Sequence, residues 1–258
     1  MAVALDEEKV TAVARRLRGA RRVLWITGAG ISADSGLPTY RGIGGLYEDN
    51  DTVEGMPIEV ALSGEIMGKR PELTWKYILQ VEHACRNAAP NRAHEVIAAA
   101  ESRFESSWTL TQNVDGLHRK AGARNIIDIH GDIYDLYCTG CRWRDRPTDF
   151  DHLTVPPSCP ACGAAVRPDV VLFGELLPEP KVTALTRELE QGFDAVLSIG
   201  TTSVFPYIAQ PVLRARMKSA LTVEINPGPS EVSDIVEYKL ASGAAETLSC
   251  LWEKLAQG

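Results

Sequence analysis

Four cysteines stand in two Cys-x2-Cys pairs, Cys138/Cys141 and Cys159/Cys162, separated by seventeen residues. Two such knuckles offer four thiolates to a closed tetrahedral site, the pattern of structural zinc. A reducing compartment favours metal over disulfides at this spacing. No fifth ligand or neighbouring acid points to hydrolytic zinc. Cys85 and Cys250 stand alone and read as small buried apolar residues.

A second group carries polar and glycine chemistry. Gly28-Ala29-Gly30 follows the apolar run Val23–Thr27 directly. Glycines between a strand and a helix start let the backbone approach a phosphate and aim free N–H groups at it, though a plain turn uses the same residues. A dehydrogenase would place an acid at the end of a second strand about 20 residues on. Glu48 and Asp49 lie at that distance in a loop-like context, GIGGLYEDND, so hydride transfer is disfavoured. The run Gln112-Asn113-Val114-Asp115 follows the apolar run Trp108–Thr111. Asn113 and Asp115 either cap a helix or recognise a polar group such as a carboxamide. His130 follows a third apolar run, Ile126–Ile129. An imidazole here is either structural or a base suited to about pH 7. Arg167–Pro178 reads as an edge strand and a turn, and an exposed edge can pair with an extended peptide.

These groups need a scaffold. Apolar runs at Val23–Thr27, Trp108–Thr111, Ile126–Ile129, Val170–Leu172, Ala195–Ile199 and Leu221–Ile225 read as strands. Helical patterns cover 6–20, 72–89, 92–103, 179–191, 206–219 and 244–256, the first with Val10, Val13, Ala14 and Leu17 on one face. Strands alternating with helices predict an α/β fold with a doubly wound parallel sheet. Residues 36–71 and 132–168 break the alternation. The second stretch has too little apolar content for its own core and reads as a zinc-stapled insertion. The expected division is 1–38, 90–131 and 169–258 as a large domain, 39–89 as a loop and helical insertion, and 132–168 as the zinc insertion.

Composition excludes several classes. The 258 residues are 45% hydrophobic and 24% charged, which excludes a disordered or collagen-like chain. The longest apolar runs fall far short of the roughly 20 residues of a membrane helix. A net charge of −7 gives no nucleic-acid footprint. The start, MAVALDEEKV, is acidic where a signal peptide is basic, and the expectation is a cytoplasmic protein.

Taken in order, GAGISADSGLPTYRG, TQNVDGLH, IHG, the paired cysteines and RPDVVLFGELLP resemble the signatures of the sirtuin family of NAD-dependent protein deacylases. Gly200-Thr201-Thr202 and Ile225-Asn226 are similar to that family's adenosine-side segments. The resemblance runs from about residue 20 to the C-terminus. It implies a Rossmann-like large domain, a smaller domain made of a helical insertion and a four-cysteine zinc module, and a cleft where NAD meets an acyl-lysine protein substrate. Gly28, Ala29 and Gly30 would approach the pyrophosphate. Ala33, Gln112, Asn113 and Asp115 would line the ribose and nicotinamide pocket, with Asn113 and Asp115 near the carboxamide. Tyr40 and Arg41 would lie on the cofactor loop, Gly200, Thr201 and Thr202 near the adenosine half, and Asn226 at the adenine ribose. His130 would be the base, with Asn113 beside it as the second catalytic residue. Val170, Val171, Phe173 and Gly174 would pair with the substrate backbone or cover the acyl-lysine. The acyl group would end on ADP-ribose, with nicotinamide released and zinc purely structural.

Three departures stand out. Tyr40 replaces the usual Phe of the family. Relatives that prefer succinyl or malonyl lysine carry a Tyr-x-x-Arg pair where this chain has Ile78 and Val81, which predicts acetyl or longer aliphatic acyl substrates. The loop from Gly200 to Pro206 is one residue shorter than usual. Two other readings use the same scaffold: protein mono-ADP-ribosylation, and a non-enzymatic NAD or zinc binding module. Intact Asn113, Asp115 and His130 weigh against the second.

Overall fold

A computed structural model describes residues 5–38, 52 and 54–257. Tyr40 and Arg41 lie outside the described residues.

The strands are β1 Arg22–Thr27, β2 Ser106–Thr111, β3 Ile126–Asp128, β4 Gly131–Cys138, β5 Arg144–Asp145, β6 Val166–Val170, β7 Ala195–Ile199, β8 Leu221–Ile225 and β9 Tyr238–Leu240. The α-helices are α1 Glu7–Leu17, α2 Ile58–Ala61, α3 Gly64–Lys69, α4 Pro71–Arg86, α5 Arg92–Arg103, α6 Leu117–Lys120, α7 Glu179–Gln191, α8 Pro206–Met217 and α9 Ala244–Ala256. Six strands form one parallel sheet in the order β3-β2-β1-β7-β8-β9. The chain builds outward from β1 through β2 to β3, then returns to place β7 on the other side of β1. The carboxyl ends of β1 and β7 therefore flank the switch point, where open α/β sheets bind ligands.

The sheet is covered on both faces, which is why its strands read as continuous apolar runs. All five residues of β7 and of β8 are buried. Helices α1, α5 and α9 cover one face around Trp25, Leu197 and Val223. Helices α7 and α8 cover the other around Leu24, Ile26 and Leu110. The predicted face of α1, Val10, Val13, Ala14 and Leu17, is fully inside, and Asp6 caps its start by accepting from the Lys9 amide at 3.0 Å.

A three-stranded sheet, β5-β4-β6, stands apart and is antiparallel. It corrects the placing of Val170–Leu172 in the parallel sheet: only Val170 of that run is in a strand, as the last residue of β6, which pairs with β4 instead. Pro168 lacks an amide hydrogen and suits an edge position, and β6 is an edge of this sheet. β4 escaped the sequence pattern because Asp132, although buried, breaks its apolar run; Arg146 donates to that carboxylate at 2.9 Å.

The zinc insertion shares its core with the helices before it. Trp75 on α4 meets Phe150 edge-to-face with centroids 5.8 Å apart, and its indole N–H reaches the Val166 carbonyl at 3.3 Å. Ile133, Leu136 and Val166 join Leu73, Ile78 and Val81 in one buried cluster. Neither module is large enough to bury its apolar face alone, so the two fold against each other.

Candidate active site

The segment after β1 is a 3-10 helix, Ala29–Ser35, and not the α-helix of a standard dinucleotide fingerprint. Its first residues press against the loop after β7. The Gly30 amide donates to the Gly200 carbonyl at 2.9 Å. A Cβ on Gly28 would sit 2.7 Å from the Thr201 Cβ, and one on Gly30 would sit 2.6 Å from the Gly200 Cα. Close packing of two backbones thus requires these glycines before any ligand is considered.

The loop after β2 crosses to the same point. Asn113 Nδ2 donates to the Gly28 carbonyl at 3.1 Å and to Ser32 Oγ at 3.2 Å. Ser32 Oγ donates to Asp115 Oδ2 at 2.7 Å, and the Leu117 amide donates to Asp115 Oδ1 at 2.9 Å. Asp115 thus satisfies the first amide of the short α6 from the residue before its N-cap, Gly116. Burial pushes the Asp115 carboxyl up from its ordinary value, against the lowering effect of the Leu117 N–H and the Ser32 hydroxyl. Gln112 Nε2 donates to Thr201 Oγ1 at 2.8 Å, and Asn226 Nδ2 donates to the Thr201 carbonyl at 3.1 Å. Gly28, Gly30, Gln112, Asn113, Asp115, Gly200, Thr201 and Asn226 thus form one hydrogen-bonded or directly packed set. Thr202 is exposed beside it and accepts from the Glu231 amide through its carbonyl.

A pocket opens between this set and α4. Ala29, Ser32, Leu37, Pro38, Val81, Cys85, Asn113 and Asp115 are among its lining residues. An apolar wall with one amide and one carboxyl at its base suits a flat ring bearing a carboxamide. Ala33 is exposed on the 3-10 helix and is not among the lining residues. Ser32 takes part where Ala33 was expected; its position inside a signature of small residues gave no separate signal. Cys85 is buried as expected, and burial pushes its thiol up to about 12. Cys250 is only half-buried.

His130 sits at the end of β3. Its Nδ1 lies 3.0 Å from the Gln112 carbonyl, which can only accept, so Nδ1 carries the proton and Nε2 holds the lone pair in the neutral ring. Burial lowers the pKa of the imidazole; the bond to Gln112 opposes this, and the Lys181 charge adds to it. The neutral ring is thus favoured, with its lone pair on Nε2. The Val171 amide donates to the His130 carbonyl at 2.9 Å, which sets the segment after β6 beside that histidine. That segment is braced on its other side: Phe173 donates its amide to the Leu62 carbonyl at 3.0 Å, and Arg167 grips Glu175 with two bonds of 2.7 and 2.9 Å. Phe173 and Gly174 are exposed and Val170 and Val171 half-buried.

The four paired cysteines converge. Their sulfurs all lie within 4.8 Å of one another, with Cys138–Cys162 at 3.4 Å and Cys141–Cys159 at 3.7 Å. A tetrahedral zinc thiolate site needs sulfurs about 3.8 Å apart, given Zn–S near 2.3 Å. The Gly140 and Ala161 amides donate to Cys138 and Cys159 sulfur at 3.3 and 3.4 Å, which offsets thiolate charge. The residues fit zinc.

Fold and site together define a doubly wound nucleotide-binding α/β protein with a zinc-stapled second module facing its switch point. The family model "Sir2 family" matches residues 28–206, and the chain belongs to that family. It is 49% identical over 243 residues to the NAD-dependent protein deacylase 2 of Pseudomonas aeruginosa, covering 93% of this chain and 94% of that protein. It is 37% identical over 247 residues to the NAD-dependent protein deacylase of Aeropyrum pernix, covering 93% and 94%. Among solved structures, a Sir2 homologue–NAD complex superposes with a TM-score of 0.85 at 31% identity, covering 95% of this chain and 93% of that one. No helix among the described residues is long and apolar enough to cross a membrane.

Proposed function

We propose that this protein is an NAD-dependent protein-lysine deacylase that removes acetyl or longer aliphatic acyl groups. The observation that supports it most is the meeting of Asn113, Asp115 and His130 with the glycine loops of β1 and β7, in a chain 49% identical to a protein named NAD-dependent protein deacylase.

NAD, when bound, supplies a ribosyl carbon that can accept the acyl oxygen, with nicotinamide as leaving group. The residues of this chain do the rest. Gly28, Ala29 and Gly30 bring backbone close to the pyrophosphate, and Gly200, Thr201, Thr202 and Asn226 hold the adenosine half. Asn113 and Asp115 fix the carboxamide in the apolar pocket, which orients the ring and excludes water. Val170, Val171, Phe173 and Gly174 take the peptide in extended form and cover the acyl-lysine chain. His130 Nε2 receives a proton from a ribose hydroxyl. The cysteines hold zinc, which would give the second module its rigidity. We take 1–38, 90–131 and 169–258 as the large domain, 39–89 as the helical insertion and 132–168 as the zinc insertion. Four thiolates gathered for a metal and not paired as disulfides support a reducing compartment, which we take to be the cytoplasm.

Nicotinamide release from NAD, with and without acyl-lysine peptide, tests the reading. Release should require the peptide, and His130→Ala should slow it about 10²- to 10⁴-fold, the usual worth of a general base. Release without peptide, with label from NAD appearing on protein, would replace deacylation by ADP-ribosyl transfer.

A further inference from the structure

His130 Nε2 already has a partner. The hydroxyl of Tyr207, in the first turn of α8, lies 2.7 Å away. Because Nδ1 donates to Gln112, Nε2 can only accept while the ring is neutral, and the phenol donates. An sp² nitrogen has one lone pair in the ring plane. The atom expected to take a proton is therefore occupied.

The surroundings fix this contact. Tyr207 stacks on Phe205 with centroids 5.4 Å apart and planes 12° from parallel. Both rings meet His130 edge-on at 5.9 Å. The short turn before α8 sets their place: Ser203 is buried with φ of 55°, its amide donates to Thr201 Oγ1 at 3.1 Å, and its hydroxyl faces Ser198 Oγ at 3.2 Å. A left-handed serine in the turn brings the chain into α8 at once, so that the first turn of the helix lies over the end of β3.

We propose that the Tyr207 hydroxyl is a resident cap on the base, a positioning group that holds His130 Nε2 in the NAD-free protein and is displaced by a ribose hydroxyl of the co-substrate. This rests on the deacylase reading for the identity of the displacing group. The cap keeps water off Nε2 when no co-substrate is present, and it makes the base available only through exchange of one hydroxyl for another. Tyr207→Phe keeps the stack on Phe205 and the edge contact with His130 and removes only the competing hydroxyl.

Two readouts test it. In the NAD-free protein, imidazole ¹⁵N spectra should show His130 Nε2 as a hydrogen-bonded acceptor, and Tyr207→Phe should move it toward the shift of an unbonded ring nitrogen. The KM for NAD should fall roughly two- to tenfold in Tyr207→Phe, the worth of one ordinary hydrogen bond, and this fall should carry the rise in kcat/KM. An unmoved Nε2 resonance, or a KM for NAD that rises, overturns the cap. Should the native protein release no nicotinamide with any acyl peptide, the deacylase reading falls, and ADP-ribose affinity decides the cap by itself. Tighter ADP-ribose binding by Tyr207→Phe in the same two- to tenfold range supports it, and unchanged or weaker binding overturns it.

Discussion

Gly30 donates its amide to the carbonyl of Gly200, so the loops that follow β1 and β7 are joined backbone to backbone across the switch point. A Cβ at position 30 would lie 2.6 Å from the Gly200 Cα, and neither backbone can yield without breaking that bond. Gly30→Ala should therefore cost about 1–3 kcal/mol of stability, the usual penalty of overpacking, and weaken NAD binding. Urea unfolding and NAD titration calorimetry check both; unchanged stability would show that the contact relaxes freely.

Zinc supports more than its own knuckles. The cluster that holds Ile133, Leu136 and Val166 also holds Ile78 and Val81 of α4, and Val81 lines the pocket. Chelation or Cys159→Ser should abolish metal content and lower the melting temperature. For isolated structural zinc sites, on the order of 10 kcal/mol of binding free energy is tied to folding. Nicotinamide affinity should fall in parallel, because the wall of the pocket is lost. Metal analysis, thermal melts and nicotinamide titration on the same samples measure this. A metal-free protein with native melting and native affinity would contradict it.

The acyl preference proposed above follows from the residues of α4 beside the pocket. Val81 presents an aliphatic group to the pocket, Ile78 is buried in the shared core, and Gln80 is exposed. The Tyr77 hydroxyl is engaged by Glu54, whose carboxyl is held down to about 2 by its bonds from Lys76 and Tyr77. Among the described residues of α4 that face the pocket, an acid-tipped acyl group would find no arginine. Desuccinylation should be at least about tenfold slower than deacetylation in kcat/KM, since a missing charge-assisted bond costs 1.5–3 kcal/mol or so. Comparable rates on matched peptides would refute this account of the pocket.

Two buried histidines set the acid limit of stability. His94 and His118 meet edge-to-face at 4.9 Å, and His118 Nε2 lies 2.9 Å from Thr27 Oγ1 on β1. Burial holds His94 down to about 4; burial and then the charge of His94 hold His118 down to about 3. Both are neutral in the folded protein and take protons at their ordinary value of 6.5 once unfolded. Their contribution is complete above pH 6.5 and is lost as pH falls from there toward 4 for His94 and about 3 for His118. The loss should reach an order of a few kcal/mol. Denaturant unfolding between these pH values should show that decline, and His94→Gln should flatten part of it. A flat profile in the native protein would exclude the pair as its source.

Much of this protein is legible in its residues alone. Five of the six strands of the parallel sheet appear as apolar runs because helices cover both faces; the edge strand β9, with Lys239 at its centre, does not, and α5, α7 and α9 begin and end where their patterns do. The cysteine pairs announce their metal because ligand spacing is local, and the glycine, Asn113, Asp115 and His130 signatures are short runs at strand ends. What depended on contacts between distant segments was not legible. Whether β6 joined the large sheet or β4 was decided by pairing across the zinc insertion, where a buried Asp132 hid the strand pattern. Ser32 gained its place because Asn113 and Asp115 reach it from another loop. Tyr207 is 77 residues from His130 in the chain and carried no signal of its own until the turn at Ser203 set α8 over the base. Periodicity and spacing are local properties, so most strands and helices of the large sheet, the paired cysteines and the candidate chemical groups are readable from the residues, while β4, β5, β9 and the short α2, α3 and α6 are not. Which groups share a hydrogen bond depends on how separate loops converge at the switch point, and that is a property of the folded chain.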